Sequence, residues 1–423
     1  MGYFHLLVVG NGVSAYGSYL NMVALNVFVY DVTGSALAAG LFMAVRLVTS
    51  VASGFVSGRL VSAYDRKRLM VGADLCQAAA LLTLLLAPDA ARPGLLYALA
   101  VVTGGCSTLS QVALRSSVPA IVGDEHRARA NGLLVIGRSL AMILGFASSG
   151  VIVAQLGYSA AFGLDAATFV VSATVMFLLP IRTRAAVPKA ADGGPEQSSG
   201  TAATRWTARV LLRTAPLLMV MIAVRAVDGL GSSSHNVALP LYSHSLDPGH
   251  PATFISQFWA TWAIGNIVAQ QLFGQVVKRT GRTPEERAFA LGACVMSAGF
   301  IVVFSGLPAV PTIIAALVAG AADGFTEIVY VSRLQAAPDE QRGRLFGLSA
   351  SAENAGFGLG MLVSGALLEV FSPLQVVASF HGLAIALCAV LLAVLLRRAG
   401  AATRSGEEPV GGDRPTAAEG HSR

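Results

Sequence analysis

DEHRARANGL, residues 124–133, recurs later in the chain as DEQRGRLFGL, residues 339–348. The offset between the two copies is 339 − 124 = 215 residues, and GFASSG at 145–150 matches GMLVSG at 360–365 at the same offset. A third match, at an offset of 214, lies near the start of each copy. Separate matches at nearly one offset indicate an internal repeat, in which each copy forms one structural unit.

The composition of both copies is that of a membrane protein. Of the 423 residues, 54% are hydrophobic and 12% are charged, which is about half the charged fraction of a typical soluble domain. A water-soluble globule of this size would need more polar surface, whereas a helix needs only about 20 mostly apolar residues to cross a bilayer. The net charge of +6 follows from basic loops and predicts no nucleic-acid partner. The four cysteines match no metal-site spacing, so no metal and no cofactor is predicted.

Apolar runs broken by charge, glycine or proline divide each copy into six spans. We therefore predict an all-α integral membrane protein of about twelve transmembrane helices. Six spans per copy give both copies the same orientation, which is the arrangement of two parallel-repeat six-helix bundles. The predicted helices cover residues 5–29, 35–58, 69–88, 94–117, 131–155, 160–181, 215–243, 253–277, 286–306, 310–334, 345–369 and 374–396.

Lysine and arginine are concentrated in alternate loops, which predicts the orientation in the membrane. Each loop after an even-numbered span is basic, whereas the intervening loops contain Arg92 alone. We therefore expect a multi-pass protein of the cell (plasma) membrane with both termini in the cytoplasm. Four segments follow: an N-terminal bundle at 1–184, a cytoplasmic linker at 185–213, a C-terminal bundle at 214–398 and a disordered cytoplasmic tail at 399–423. The linker and the tail lack an apolar period.

The loop after the second span, GRLVSAYDRKR at residues 58–68, resembles the signature loop between helices 2 and 3 of the major facilitator superfamily. An acidic residue followed by three basic residues is most similar to the branch that contains macrolide and siderophore exporters, which are drug:proton antiporters. LDAATF at 164–169 is similar to the same branch. The resemblance covers nearly the whole chain. It implies transport by alternating access, in which the two bundles rock about a site between them.

The resemblance also implies a set of gating residues, and it has three departures, one of which is Ser18 where this branch often has an acidic residue in helix 1. Ser62-Ala63 stands where the signature has its first acidic-basic pair, and Gly145-Phe146 stands where antiporters have Gly-Pro in helix 5. The signature loop carries over onto Gly58, Asp65, Arg66, Lys67 and Arg68.

Four further charges within the spans are gating candidates: Arg46, Arg115, Arg138 and Glu353. Arg138 and Glu353 occupy equivalent repeat positions, since 353 − 138 = 215. In the superfamily, helices 2 and 11 face each other, so one hypothesis is a contact between Arg46 and Glu353 that forms and breaks during rocking. The alternative is packing within one half. Arg115 is also interpreted as a structural charge at the cytoplasmic end of helix 4.

Carboxylates within a span need a charged partner or a wet cavity, because lipid does not solvate them. Asp323, Glu327 and Tyr330 follow i, i+4, i+7 spacing in helix 10 and share one face. Two carboxylates one turn apart in a low-dielectric site cannot both ionise cheaply, so one is expected to bind a proton near neutral pH. In helix 7, Arg225 and Asp228 are three residues apart. Glu327, Asp323 and Asp228 are therefore proton-coupling candidates, and structural ion pairs or polar contacts are the alternative.

Aromatic and polar side chains of the spans are candidates for lining a substrate cavity. For His235, a histidine hydrogen-bonded near the outer surface is the alternative to a proton relay. The candidates are Tyr16, Tyr19, Asn26, Arg225, His235, Trp259, Trp262 and Tyr330.

The residues contain no enzyme-like constellation and no Walker loop, so we predict a transporter that is neither an enzyme nor ATP-driven. The leading hypothesis is proton-coupled export of a lipophilic or amphipathic small molecule, such as a drug, antibiotic or siderophore-like metabolite. The expected partners are this small molecule, protons and the lipid bilayer, and the protein is expected to be a monomer. Proton-coupled uptake of a small solute is one alternative. A non-transporting membrane receptor or assembly protein on the same fold is another.

Overall fold

The computed structural model describes residues 2–123, 126–180, 216–280, 286–337 and 339–404. These residues form helices joined by short turns, and no strand occurs among them. The element Arg127–Leu178 is broken at Gly157, which has a φ of 78° and a ψ of 175°, so we number its parts α5 (127–156) and α6 (158–178). The other helices are α1 Gly2–Thr33, α2 Ala36–Ala63, α3 Arg66–Leu86, α4 Arg92–Val122, α7 Pro216–Leu246, α8 Pro251–Thr280, α9 Glu286–Val303, α10 Ala309–Gln335, α11 Asp339–Leu368 and α12 Pro373–Arg404. The predicted all-α fold is confirmed, with a described helix at each of the twelve predicted spans.

The hydropathy of the helices agrees with a membrane protein. Among the described residues, eight helical elements are long and apolar enough to cross a bilayer, and one of them is the joined α5–α6 element. The helices outside this set are α1, α8 and α11. Each of these three contributes to the central cavity described below, through Tyr19, Trp259 and Phe357 respectively.

The segments between the bundles and at the C-terminus lie largely outside the described residues. The predicted linker at 185–213 falls entirely among the residues that are not described. Helix α12 continues to Arg404, six residues beyond the boundary at Arg398 where the disordered tail was predicted to begin. The tail prediction is therefore wrong for residues 399–404, because the apolar run of α12 propagates its backbone hydrogen bonds beyond the span itself.

The glycine motifs of the repeat make equivalent contacts in both halves. Gly145 of α5 and Gly360 of α11 each pack against the first helix of their own half, Gly145 against the Tyr16 carbonyl oxygen of α1 and Gly360 against α7. Gly150 and Gly365 each pack across the molecule, against α8 and against Leu37 of α2 respectively. Small residues permit such close backbone approach between membrane helices. The two copies of the repeat therefore pack in the same way. In each copy, the first glycine contacts a helix of its own half and the second contacts a helix of the other half.

The hydrophobic core divides along the molecule. One large cluster draws on both halves, and Phe146 and Trp259 meet within it with ring centroids 5.6 Å apart. Two smaller clusters each come from a single half: one contains Met70 and the other contains Phe289. These smaller clusters lie toward the ends that carry the basic loops, which we call the basic face. The two halves therefore share a core away from the basic face and have separate cores near it.

Contacts between the halves at the opposite face close that end of the molecule. The Ser35 hydroxyl at the N-terminus of α2 donates to the Glu369 carboxylate at 2.7 Å, and the Leu37 backbone amide donates to the same oxygen at 3.0 Å. His244 Nδ1 of α7 lies 3.8 Å from the Asp31 carboxylate of α1. Together with the split core, these contacts describe a molecule closed at the opposite face and open toward the basic face.

The signature loop braces the basic end of the N-terminal half. Asp65 caps α3 by accepting a hydrogen bond from the Arg68 backbone amide at 3.2 Å. Arg66 donates to the Ser116 carbonyl oxygen of α4 at 2.5 Å, and Lys67 donates to the Leu179 carbonyl oxygen after α6 at 2.7 Å. The contacts of Arg66 and Lys67 tie the start of α3 to α4 and to the end of α6, in the same half. Gly58 lies within α2.

Candidate functional site

A single arginine in α7 is surrounded by four carboxylates from three helices. The Arg225 guanidinium lies 3.0 Å from Asp228 and 2.8 Å from Glu327. Asp323 and Glu353 follow at 3.9 and 3.8 Å. We call these five residues the Arg225 cluster. All of them belong to the C-terminal half, on α7, α10 and α11.

Polar neighbours orient the carboxylates of this cluster. Asn266 of α8 donates to Asp323 at 3.0 Å, and Ser349 of α11 donates to Glu353 at 2.8 Å. Tyr330 shares a 2.6 Å hydrogen bond with the Ser349 hydroxyl, and the Arg225 guanidinium stacks over its ring at 5.4 Å. The predicted shared face of α10 is thus observed, and it points at α7 and α11.

The charge of the cluster does not balance when every acid is ionised. One guanidinium and four carboxylates give 1 − 4 = −3, and charge in a low-dielectric site is costly unless it is paired. Binding of protons relieves this imbalance. The side chain of Asp228 is 8% exposed, whereas that of Glu327 is 42% exposed. Glu327 is therefore the more exposed carboxylate of this pair, and it is in direct contact with the arginine.

An aromatic cavity of about 320 Å³ lies between the halves beside the cluster. Asp323 is the carboxylate of the cluster that lines it. Trp259 and Trp262 pack edge to face with ring centroids 5.3 Å apart, and neither indole Nε1 has a partner among the described residues. The lining residues are Tyr19, Met22, Met142, Phe146, Ser232, His235, Asn236, Trp259, Trp262, Met296, Phe300, Asp323 and Phe357.

His235, which lines this cavity, pairs with a second buried histidine. His235 of α7 and His381 of α12 are 3.1 Å apart between Nδ1 and Nε2. Phe300 stacks on His235 with ring centroids 4.0 Å apart. His235 is therefore buried within the bundle and hydrogen-bonded to another helix. Its hydrogen-bond partner on α12 could not be identified from sequence, because no motif links positions 146 residues apart.

A second cavity, of about 290 Å³, lies against the N-terminal half and contains Arg46 and Asn26. It shares the lining residues Met22, Asn236 and Phe357 with the aromatic cavity, so the two are neighbouring parts of one central space. We call it the Arg46 cavity.

The proposed contact between Arg46 and Glu353 is not formed in this conformation. Glu353 accepts from Ser349 and lies near Arg225, and Arg46 makes no hydrogen bond or ion pair with any described residue. Each of the two side chains therefore stays within its own half, although α2 and α11 pack closely nearby, where Leu47 lies against Gly358.

The candidate arginines near the basic face line a third cavity, of about 360 Å³. Arg138 of α5 donates to the Tyr19 hydroxyl at 2.9 Å and to the Gln111 amide oxygen at 3.0 Å. Arg115 of α4 lines the same cavity, and Gln111 also lines the Arg46 cavity. We call this space the Arg138 cavity.

Comparison with known proteins identifies the family. The family model of the Major Facilitator Superfamily matches residues 7–335. The chain belongs to this superfamily. A curated relative, described as an uncharacterized MFS-type transporter YfiS of Bacillus subtilis (strain 168), is 24% identical over 373 residues, covering 86% of each chain.

Solved structures share the fold of this major facilitator transporter. The nucleoside transporter NupG superposes with a TM-score of 0.72 at 14% identity, covering 93% of this chain and 99% of that chain. The peptide transporter POT, in complex with sulfate, gives 0.69 at 17% identity, covering 93% and 94%. A bacterial homologue of the iron transporter ferroportin, in an inward-facing state, gives 0.66 at 14% identity, covering 92% and 98%. At these identities the likeness concerns the fold alone.

The fold of this major facilitator transporter gathers most of the predicted site residues in two places. Arg225, Asp228, Asp323 and Glu327 meet in the Arg225 cluster, and Tyr330 packs against its guanidinium. Tyr19, Asn26, His235, Trp259 and Trp262 line the central cavities. Tyr16 does not line a described cavity: its hydroxyl pairs with that of Ser148 at 2.9 Å and joins α1 to α5.

Several functional neighbours were missed from sequence. Ser349 precedes Glu353 by one helical turn, so i, i+4 spacing was a usable signal. Asn266 carried no comparable signal, because its role depends on how α8 packs against α10.

Proposed function

We propose that this major facilitator transporter is a proton-coupled exporter of lipophilic or amphipathic small molecules. The observation that carries the proposal is the Arg225 cluster, where four carboxylates share one guanidinium beside a central cavity. A carboxylate that exchanges a proton for contact with Arg225 changes the charge of the cavity wall. Binding of substrate and binding of a proton are coupled through that change.

The orientation of the chain supports export from the cytoplasm. The basic face corresponds to the cytoplasm by the positive-inside rule, and both termini and the segment 185–213 are assigned to that side of the plasma membrane. The cavities are then accessible from the cytoplasm in the present conformation, and the contact between Ser35 and Glu369 closes the outer side. The resemblance of residues 58–68 to the exporter branch also favours this direction.

The aromatic cavity supports a substrate with a large apolar surface. Its walls are aromatic rings and methionines, and pockets of this kind bind apolar groups with a few polar contacts that fix orientation. Its volume of about 320 Å³, extended by the Arg46 cavity, suits an organic molecule of drug-like size.

Everted membrane vesicles from bacteria that express the protein test both drive and direction. Respiration acidifies the vesicle lumen, so a proton-coupled exporter should accumulate amphipathic compounds there, and vesicles without the protein are the control. We expect accumulation of at least one compound from a panel of aromatic anions, neutral molecules and cations, and its loss on addition of an uncoupler. Accumulation at the same rate with the uncoupler would contradict proton coupling, and loss of compound from the lumen would favour uptake.

A further inference from the structure

The two walls of the central space carry opposite kinds of charge. On the C-terminal side, the carboxylates of the Arg225 cluster lie within 4 Å of one guanidinium. On the N-terminal side, Arg46, Arg115 and Arg138 line the cavities and form no ion pair with a carboxylate among the described residues. Among the described residues, the acids of the C-terminal side therefore lie within ion-pair distance of a cation, whereas the arginines of the N-terminal side have no acid within that distance.

Of these arginines, Arg46 gives the strongest indication of a ligand, because it lies deep within a membrane-spanning helix. It lies within the apolar helix α2, and an ionised side chain at that depth is retained only where it faces a wet cavity or binds a partner. Asp165 attracts it electrostatically, but the Asp165 carboxylate accepts from the Asn21 amide at 2.7 Å and forms no ion pair with Arg46. The five N–H donors of the guanidinium are thus available within the Arg46 cavity.

The same cavity contains a second donor without a partner. Asn26 of α1 is 6% exposed, lines the Arg46 cavity, and makes no hydrogen bond to any described residue. Buried amides normally have hydrogen-bond partners. The nearby hydroxyls of Ser107 and Thr108 already donate, to the Gln77 amide oxygen at 2.8 Å and the Gly104 carbonyl oxygen at 3.1 Å. A guanidinium and an amide without a hydrogen-bond partner among the described residues thus line this cavity, and N–H donors of this kind match an oxyanion.

The route from the basic face to this site is lined by the other two arginines. The Arg138 cavity and the Arg46 cavity meet at Gln111, and Arg138 is held there by two neutral acceptors, Gln111 and Tyr19. Its positive charge is therefore not cancelled. A positive wall in a recess raises the local concentration of anions.

We infer that the substrate of this transporter is an amphipathic organic anion, with a carboxylate, sulfonate or phosphate group at Arg46 and Asn26 and an apolar body in the aromatic cavity. The inference rests on the proposed function and names the substrate class of its site. Export fits this charge, because an inside-negative membrane potential favours both exit of an anion and entry of a proton. For a cationic substrate the same potential would oppose exit.

Three probes with one apolar body test the charge preference: 2-naphthylacetate, 2-naphthylacetamide and 2-naphthylethylammonium. Their binding to the purified protein in lipid nanodiscs is measured by equilibrium dialysis, with protein-free nanodiscs subtracted. Wild-type protein should bind the acetate at least about tenfold more tightly than the amide or the ammonium, as expected for charge-assisted hydrogen bonds. Equal or undetectable binding of the three, or preference for the ammonium, would overturn the inference without any variant.

Substitutions then locate the anion site. Arg46→Gln should reduce affinity for the acetate to that for the amide and leave the amide unchanged, whereas Arg46→Lys should retain part of the preference. Arg92→Gln is the control, because Arg92 pairs with Asp89 at 2.6 Å in a turn at the opposite face, and it should alter none of the three affinities. An anion preference that survives Arg46→Gln would overturn the assignment. The binding assay contains no proton gradient, so it tests the substrate class independently of proton coupling. If the anion binds as predicted but transport in vesicles does not depend on a proton gradient, the proposed function is contradicted and the substrate class is not.

Discussion

At the scale of single residues, the chemistry of this protein depends on which charges have a partner. Arg225 has four carboxylates around it, and Arg46 has none within ion-pair distance. Removal of the cation from a buried cluster leaves uncompensated charge, which typically costs about 3–5 kcal/mol. The cluster therefore holds α7, α10 and α11 together, and any of its acids that takes part in transport does so within a structural assembly.

Glu327→Gln should uncouple transport from protons while the protein remains folded. The amide keeps the size of the side chain and can still accept from Arg225, which lies at 2.8 Å, but it cannot titrate. We expect proton-driven accumulation in everted vesicles to fall at least about tenfold, whereas exchange of labelled for unlabelled substrate across the membrane persists.

Asp323→Asn is the comparison for Glu327→Gln. If Glu327→Gln leaves proton-driven accumulation unchanged, Asp228→Asn is the next variant to test. Asp323 accepts from Asn266, and Asp228 is the more deeply buried member of the cluster. A wild-type rate with an unchanged pH profile in Glu327→Gln would make Glu327 a structural residue.

At the scale of helices, glycine decides how closely the elements pack. Three glycines line the contact between α8 and α10, where Gly265, Gly320 and Gly324 each face a backbone carbonyl oxygen of the other helix. A Cβ at Gly320 would overlap the Trp262 carbonyl oxygen. Because Trp262 lines the aromatic cavity, this packing also sets the position of a cavity wall.

Gly320→Ala should destabilise the protein, by about 1–3 kcal/mol as for other overpacked sites. Gly382→Ala in α12 is the matched control, because a Cβ there would meet nothing within 4 Å and alanine favours the helix by about 1 kcal/mol. Thermal unfolding of both variants in the same detergent measures the difference. A Gly320→Ala melting temperature at or above that of Gly382→Ala would show that α8 and α10 separate without cost.

At the scale of the whole molecule, closure of the opposite face depends on a contact between the halves. The Leu37 backbone amide and the Ser35 hydroxyl donate to Glu369 and hold the pKa of that carboxyl below its ordinary value. Since the closed form has the lower pKa, the contact is complete above the ordinary glutamate pKa of about 4.3. It weakens as the pH at this face falls through the lowered value.

Glu369→Gln should therefore shift the population toward a form open at the opposite face. Spin labels at positions 89 and 248, in turns of the two halves, report the distance between the halves at the opposite face by pulsed electron paramagnetic resonance. We expect a longer distance between the labels in the variant than in wild type at neutral pH. Asp247→Asn is the control, because Asp247 accepts from backbone amides of its own turn, at Gly249 and His250. Identical distance distributions in Glu369→Gln and wild type would exclude this closing role.

The sequence by itself determined the class and the symmetry of this protein. Hydropathy determines the spans, because a bilayer admits only long apolar helices with satisfied backbones, and the 215-residue offset determines the duplication. It also determined that Asp323 and Glu327 share a face, because helical spacing is local. Only the tertiary structure decided which charges meet across helices. It placed Glu353 near Arg225 and left Arg46 facing a cavity, because separations between helices depend on packing of the whole bundle and on its conformation.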